Sequence, residues 1–197
     1  FIMSLLFYSD HRSPSHLLRG RTMVGIKKKA HDKSDMTGGK DMGAWSVRAL
    51  DSDEGLDVIG ILTKEYVPKH PIMDMSEIIE LMKEEGMLGN DFSEIDYLYD
   101  ITAMGLSELY FQWKNERTLD YDTEECVWGN VTDFTASKES IDFLLQQLID
   151  IKNEVPDEDG IREIVDLWKD EESGEVNQAW MEYLEWLIGS FVSEQEV

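Results

Sequence analysis

Between Ile95 and Trp113 the residues Ile95, Leu98, Thr102, Leu106, Leu109 and Trp113 recur three and four positions apart. Only an α-helix brings such a set onto one face, and the run is too long for a strand. The same spacing returns in Ile141, Leu144, Leu145, Leu148 and Ile151, and again in Val176, Trp180, Tyr183, Leu184, Leu187 and Phe191. Apolar stripes of this kind are covered most simply by one another, which predicts helix packed on helix. Glu94, Asp96, Asp100 and Glu108 fall away from the first stripe and are expected on its solvent side.

Shorter signals fill the gaps. Asp51 with Glu54 fits a capping box ahead of Leu56, Val58, Ile59, Ile61 and Leu62, and Pro68 and Pro71 end that helix. Gly55 and Gly60 weaken a helix relative to Ala, so close packing of another element is expected there. Ser76 is read as the cap of a helix through Ile78, Ile79, Leu81 and Met82 that stops near Gly86 to Gly89. Asp91 with Glu94 reads as a second capping box opening the long helix, and Ser137 as the cap of the helix at Ile141. Ile161, Ile164, Val165 and Trp168 follow Pro156 and an acidic turn. Between 119 and 135 the helical period is lost and β-branched and aromatic residues gather, which predicts a short strand or β-hairpin. The expected fold is mainly α, a single compact helical domain of about six helices with that hairpin.

Composition changes abruptly at Met42. Residues 1–41 carry 8 Lys/Arg and 4 Asp/Glu, whereas residues 42–197 carry 10 and 38, within a chain of net charge -24. No helical or strand period is sustained before Met42, so residues 1–41 are expected to be a disordered basic arm and 42–197 an acidic helical domain. Gly38-Gly39-Lys40-Asp41-Met42 back-translates to a purine-rich ribosome-binding sequence spaced before a start codon. That suggests residues 1–41 are translated upstream sequence, with the native protein beginning at Met42.

The residues at this junction carry a resemblance. Met42-Gly43-Ala44-Trp45, then Asp51-Ser52-Asp53 turning into a helix that contains Asp57, resemble the opening of an uncharacterised bacterial family, domain of unknown function 4259; Ser46 stands where that family usually has Gly. The resemblance implies a structural entry motif at Trp45, Asp51, Asp53 and Asp57, to which the capping-box reading adds Glu54. It implies no established activity and no catalytic residues.

The remaining chemistry is sparse. Asp51, Ser52, Asp53 and Asp57 alternate oxygens as calcium loops do, but Leu56 and Leu62 occupy the positions where an EF-hand needs its glycine and its bidentate acid, so capping is favoured over metal binding. Cys126 and His70 are the only cysteine and histidine after Met42, too few for a nucleophilic triad without fortunate geometry. Glycine-rich phosphate loops, zinc-ligand spacing and dinucleotide fingerprints are absent from the sequence. Neither a catalytic residue nor a cofactor is expected. Trp113, Trp168 and Trp180 fit helix cores, while Trp186 falls off the apolar face of its helix and is the candidate partner contact.

Charge sorts the partner classes. An acidic body repels nucleic-acid phosphates and anionic lipid, which disfavours binding to either. It attracts basic proteins. The first functional expectation is a non-catalytic acidic interaction module for a basic protein partner, comparable by analogy to bacterial immunity proteins that mask a cationic toxin. The alternative is a metal-dependent hydrolase with Asp51, Asp53 and Asp57 as ligands. No apolar run approaches a membrane span, and with one cysteine no internal disulfide framework can form, so a reducing, cytoplasmic setting is expected.

Overall fold

The computed structural model describes residues 46–121 and 126–195. The expectations for residues 1–41 and for Trp45 concern residues outside these ranges. The described chain is mainly helical, with six α-helices and one small sheet. A 3-10 turn at Ala49–Asp51 leads into α1 (Asp53–Ile61), which widens to a π-helical turn at Leu62–Tyr66 and tightens to a 3-10 turn at Val67–Lys69. Strand β1 (Ile72–Asp74) runs directly into α2 (Met75–Glu84), and α3 (Tyr97–Glu116) follows. A 3-10 turn at Val127–Asn130 precedes β2 (Asp133–Thr135), then come α4 (Lys138–Lys152), α5 (Glu163–Leu167) and α6 (Gln178–Gln195).

Helix α3 is the axle. At 20 residues it spans roughly 30 Å, and it packs against α1, α4, α5, α6 and β2. The expectation of a one-sided amphipathic helix is corrected here. Ile101 through Phe111 is buried at every position, so the helix is enclosed rather than laid on a surface. Its stripe of Leu106, Leu109 and Trp113 faces inward as expected, but Asp100 and Glu108, expected in solvent, are 1% and 3% exposed.

The β element also differs from the expected hairpin. A strand does form at Asp133–Thr135, but its partner is β1, in parallel register with Ile72 opposite Asp133, Met73 opposite Phe134 and Asp74 opposite Thr135. Met73 and Phe134 point into the core, and Phe134 meets Tyr110 of α3 edge-on at 5.4 Å. Parallel strands need a long crossover, here the whole of α2 and α3, which no local turn signal can announce. Each strand feeds a helix, so the two helix starts lie side by side. Ser76 Oγ is 3.2 Å from Ser137 Oγ and 3.0 Å from Ser140 Oγ.

Three caps are reassigned. Ser52, not Asp51, caps α1, accepting from the Gly55 N–H at 3.0 Å. Asp74 rather than Ser76 caps α2, accepting from Ser76 N and Glu77 N. Asp96 caps α3, and Asp91 instead closes a local turn on Ser93. In each case a residue near the expected one is the last with extended backbone, which is what a cap requires. Ser137 caps α4 as expected, in a reciprocal capping box with Ser140.

Candidate functional site

The entry segment is held down by a chain of polar contacts. Ser46 Oγ donates to Asp51 Oδ2 at 2.6 Å, and Arg48 N donates to Ser46 Oγ at 3.0 Å, which closes a tight loop. Ser52 then turns the chain into α1. Gly55 lies so close to the preceding turn that an added Cβ would sit 2.1 Å from the Ala49 carbonyl oxygen and 2.7 Å from Leu50 Cα. Leu50 in turn fills the space over Gly105 of α3, where a Cβ would meet its Cδ2 at 2.9 Å. The two glycines therefore exist to let backbone and helix approach, as expected for Gly55.

Arg48 fixes the segment to α3. Its Nε donates to Glu108 Oε1 at 2.6 Å, its Nη2 joins the same carboxylate, and the Tyr183 hydroxyl of α6 donates to the other oxygen. The carboxylate is buried while Arg48 is half exposed, so the charge is compensated at the rim of the core. Burial, then the neighbouring Glu108 carboxylate, pushes the Tyr183 phenol well up, and Tyr121 is raised the same way. Both hydroxyls stay protonated as donors; Tyr121 donates a hydrogen bond to Gln112 Oε1 at 2.9 Å.

The acidic residues of the motif do not converge. Asp51 is committed to Ser46, while Asp53 and Asp57 are exposed on α1 and Glu54 is half-buried. Partial burial, then repulsion from Asp53 and Asp57, raises the Glu54 carboxyl; partial burial, then Asp53, raises Asp57. Tyr97 at the start of α3 is raised by burial and by Glu54, Glu163 and Asp53, which places α5's first acid in the same neighbourhood. Among the described residues no group of three or more His, Cys, Asp or Glu side chains is arranged to hold a metal ion.

A second polar cluster, unread in the sequence, sits where both strands end. Glu77 Oε2 accepts from the Tyr66 hydroxyl at 2.7 Å and lies 3.4 Å from His70 Nδ1, and the Tyr66 and His70 rings stack at 4.2 Å. Thr135 Oγ1 reaches Asp74 Oδ2 at 3.2 Å. The widened turn of Leu62–Tyr66 aims Tyr66 here. Within that turn Thr63 Oγ1 donates to the Ile59 carbonyl and accepts from buried Trp128 Nε1, both of which loosen the regular ladder.

The electrostatic pattern of the body follows from how its cations are used. Arg162 is buried and grips Asp100 on α3, with Nε 2.7 Å from Oδ2, while its Nη1 donates to the Val155 carbonyl. Burial pushes the Asp100 carboxyl up to about 6 despite the guanidinium beside it. Lys69, Lys83, Lys114, Arg117, Lys138, Lys152 and Lys169 each pair with a carboxylate, as Arg48 does, and Lys64 faces Asp57. Nine of the ten Lys/Arg after Met42 are thus ion-paired, against 38 acids. Between 154 and 185 alone there are 12 Asp/Glu and 2 Lys/Arg.

Trp186 is 45% exposed on α6. It rests edge-on against Phe111 at 6.0 Å and nearly parallel to Tyr183 at 6.1 Å. With Phe111, Lys114 and Asn115 of α3 and Gly189, Ser190, Ser193 and Glu194 of α6 it lines a surface groove of about 620 Å³. Trp113, Trp128 and Trp180 are buried and Trp168 stacks on Trp180, so these four belong to the core.

Among the described residues no helix is long and apolar enough to cross a membrane. Comparison with curated proteins and with solved structures finds no match. The family model described as "Domain of unknown function (DUF4259)" matches residues 43–182, from the entry motif through the first turns of α6. The match spans the Arg48–Glu108 and Asp100–Arg162 pairs and both strands, and the chain belongs to the DUF4259 family.

Proposed function

We propose that this protein is a non-catalytic acidic interaction module, acting in the cytoplasm on a basic protein partner, in the manner in which an immunity protein masks a cationic toxin. The observation that supports it is the commitment of the cations. Nine of the ten Lys and Arg after Met42 pair with carboxylates of the body itself, and the remaining excess of acids has no counter-charge within it and projects a negative field. Such a field steers a cationic protein into encounter and repels nucleic acid and anionic lipid. Of the three acids that the hydrolase alternative would use, Asp51 is committed to closing the entry loop on Ser46, while Asp53 and Asp57 are exposed on α1.

The test is capture of a partner on the immobilised full chain, followed by stopped-flow association over a salt series. Salt screens such attraction over about 8 Å at physiological ionic strength. The association rate should fall steeply with salt while dissociation changes little, because dissociation depends on buried contacts. A neutral or acidic partner, or an association rate indifferent to salt, leaves the charge as a solubility device.

A further inference from the structure

In the groove between α3 and α6 an exposed large aromatic, Trp186, stands beside residues with little side-chain bulk. Gly189, Ser190 and Ser193 form the groove's floor. Ser190 and Ser193 donate their hydroxyls back to the Trp186 and Gly189 carbonyls of their own helix, at 2.8 and 2.9 Å. Covering them strands no donor, so the floor can be buried as an apolar surface would be. Trp186 is braced from behind by Phe111 and Tyr183, and Tyr183 is itself tied to Glu108. An aromatic held in this way loses little freedom when a partner covers it, a property shared by interface hot spots.

Charge identifies the occupant. The groove's lysine, Lys114, is spent on Glu194 at 2.6 Å, and exposed Glu182 stands one helical turn before Trp186. Around this the body carries 38 acids against 10 cations. A second copy would bring the same negative field and be repelled; a cationic segment is attracted. The exposed indole face suits a guanidinium stacked on it, and a groove between two helices accepts a third helix laid along it.

We propose that the α3–α6 groove is the docking surface for an arginine-bearing amphipathic helix of the cationic partner, with Trp186 as its anchor. This rests on the functional reading above. The probe is a synthetic helical peptide with Arg flanking a leucine face, compared with the same peptide carrying Gln for each Arg. Binding to the full chain is read by fluorescence anisotropy at low salt. Two variants address the groove: Trp186→Ala removes the anchor, and Gly189→Leu fills the floor. A Cβ at Gly189 meets nothing within 4 Å, so the added side chain starts from open space, and circular dichroism of the variant checks that the fold is kept. Glu158→Gln, in the exposed turn before α5, is the control.

The Arg peptide should bind at least about tenfold more tightly than the Gln peptide, and each groove variant should weaken it by about tenfold or more. Glu158→Gln should change binding by less than about twofold, as a screened rim charge does. If the Arg peptide binds but ignores both groove variants, the docking surface is wrong and the cationic reading stands. If neither peptide binds, both fall. Equal binding of the two peptides, or a dimer in sedimentation that both groove variants dissociate, overturns the assignment of a cationic occupant.

Discussion

Replacing Gly55 with Ala is the sharpest test of how the entry segment is built. In an ordinary helix the change gains about 0.5–1 kcal/mol, because Ala is the better helix former. Here the new Cβ would lie 2.1 Å from the Ala49 carbonyl oxygen and 2.7 Å from Leu50 Cα, both backbone atoms that no rotamer change can move. Relieving that overlap means pushing the Ala49–Asp51 turn away from α1, an overpacking cost of about 1–3 kcal/mol. The same shift pulls Ser52 Oγ from the Gly55 N–H it caps, at 3.0 Å, for about 1 kcal/mol more. Setting the gain against the losses leaves a net destabilisation of roughly 2 kcal/mol, which lowers Tm by about 4–8 °C in a domain of this size. Urea and thermal unfolding followed by circular dichroism measure it. Gly189→Ala is the internal control, since its Cβ meets nothing within 4 Å, and it should stabilise by about 0.5–1 kcal/mol. If Gly55→Ala matches or exceeds the wild type in stability, the close approach of the turn to α1 is not what holds this segment.

Ser52→Ala should cost about 1 kcal/mol in urea unfolding and Asp51→Ala less, because only Ser52 caps α1; the reverse order would restore Asp51 as the cap. Removing one partner of the buried Asp100–Arg162 pair, as in Arg162→Ala, should cost about 3–5 kcal/mol through the stranded carboxylate. The double variant Asp100→Leu with Arg162→Met should lose distinctly less than the two single losses combined, and additivity would deny the pairing. The pH dependence has a definite sign. Glu54, Asp57 and Asp100 are all raised, Asp100 to about 6, so the native state binds their protons more tightly than the unfolded chain does. Their contribution is full below the unfolded carboxyl values of about 4 and is lost as pH rises through the folded ones. Asp91 and Asp170 are lowered by their local turns, and their opposite effect enters only as pH falls below those same unfolded values. Tm should therefore climb as pH is brought from about 7.5 toward 5, and a steady fall over that window would contradict the shifts.

The sequence by itself determined where the long helices lie and most of what α4 and α6 turn inward. Ile141, Leu144, Leu148 and Ile151, and Trp180, Leu184, Leu187 and Phe191, are buried as their spacing required, because a 3.6-residue period is written in local order. It also determined that Trp186 would face out and that Gly55 marked a close approach, since each is an exception to a local rule. The Met-Gly-Ala-Trp opening was enough to indicate the family that the match over residues 43–182 establishes. Caps were legible only to within a few residues, because several Ser and Asp side chains stood near each helix start and the backbone angle of one of them decided the matter. The pairing of β1 with β2 was decided by tertiary structure alone, as strands 61 positions apart in register leave no turn between them to read. So were the fates of Asp100 and Glu108. A carboxylate on the polar side of a helix belongs in water unless a cation distant in sequence arrives to meet it. Here Arg162 comes from 62 residues away and Arg48 from 60, so burial of these acids followed from how the chain was packed, not from its local pattern.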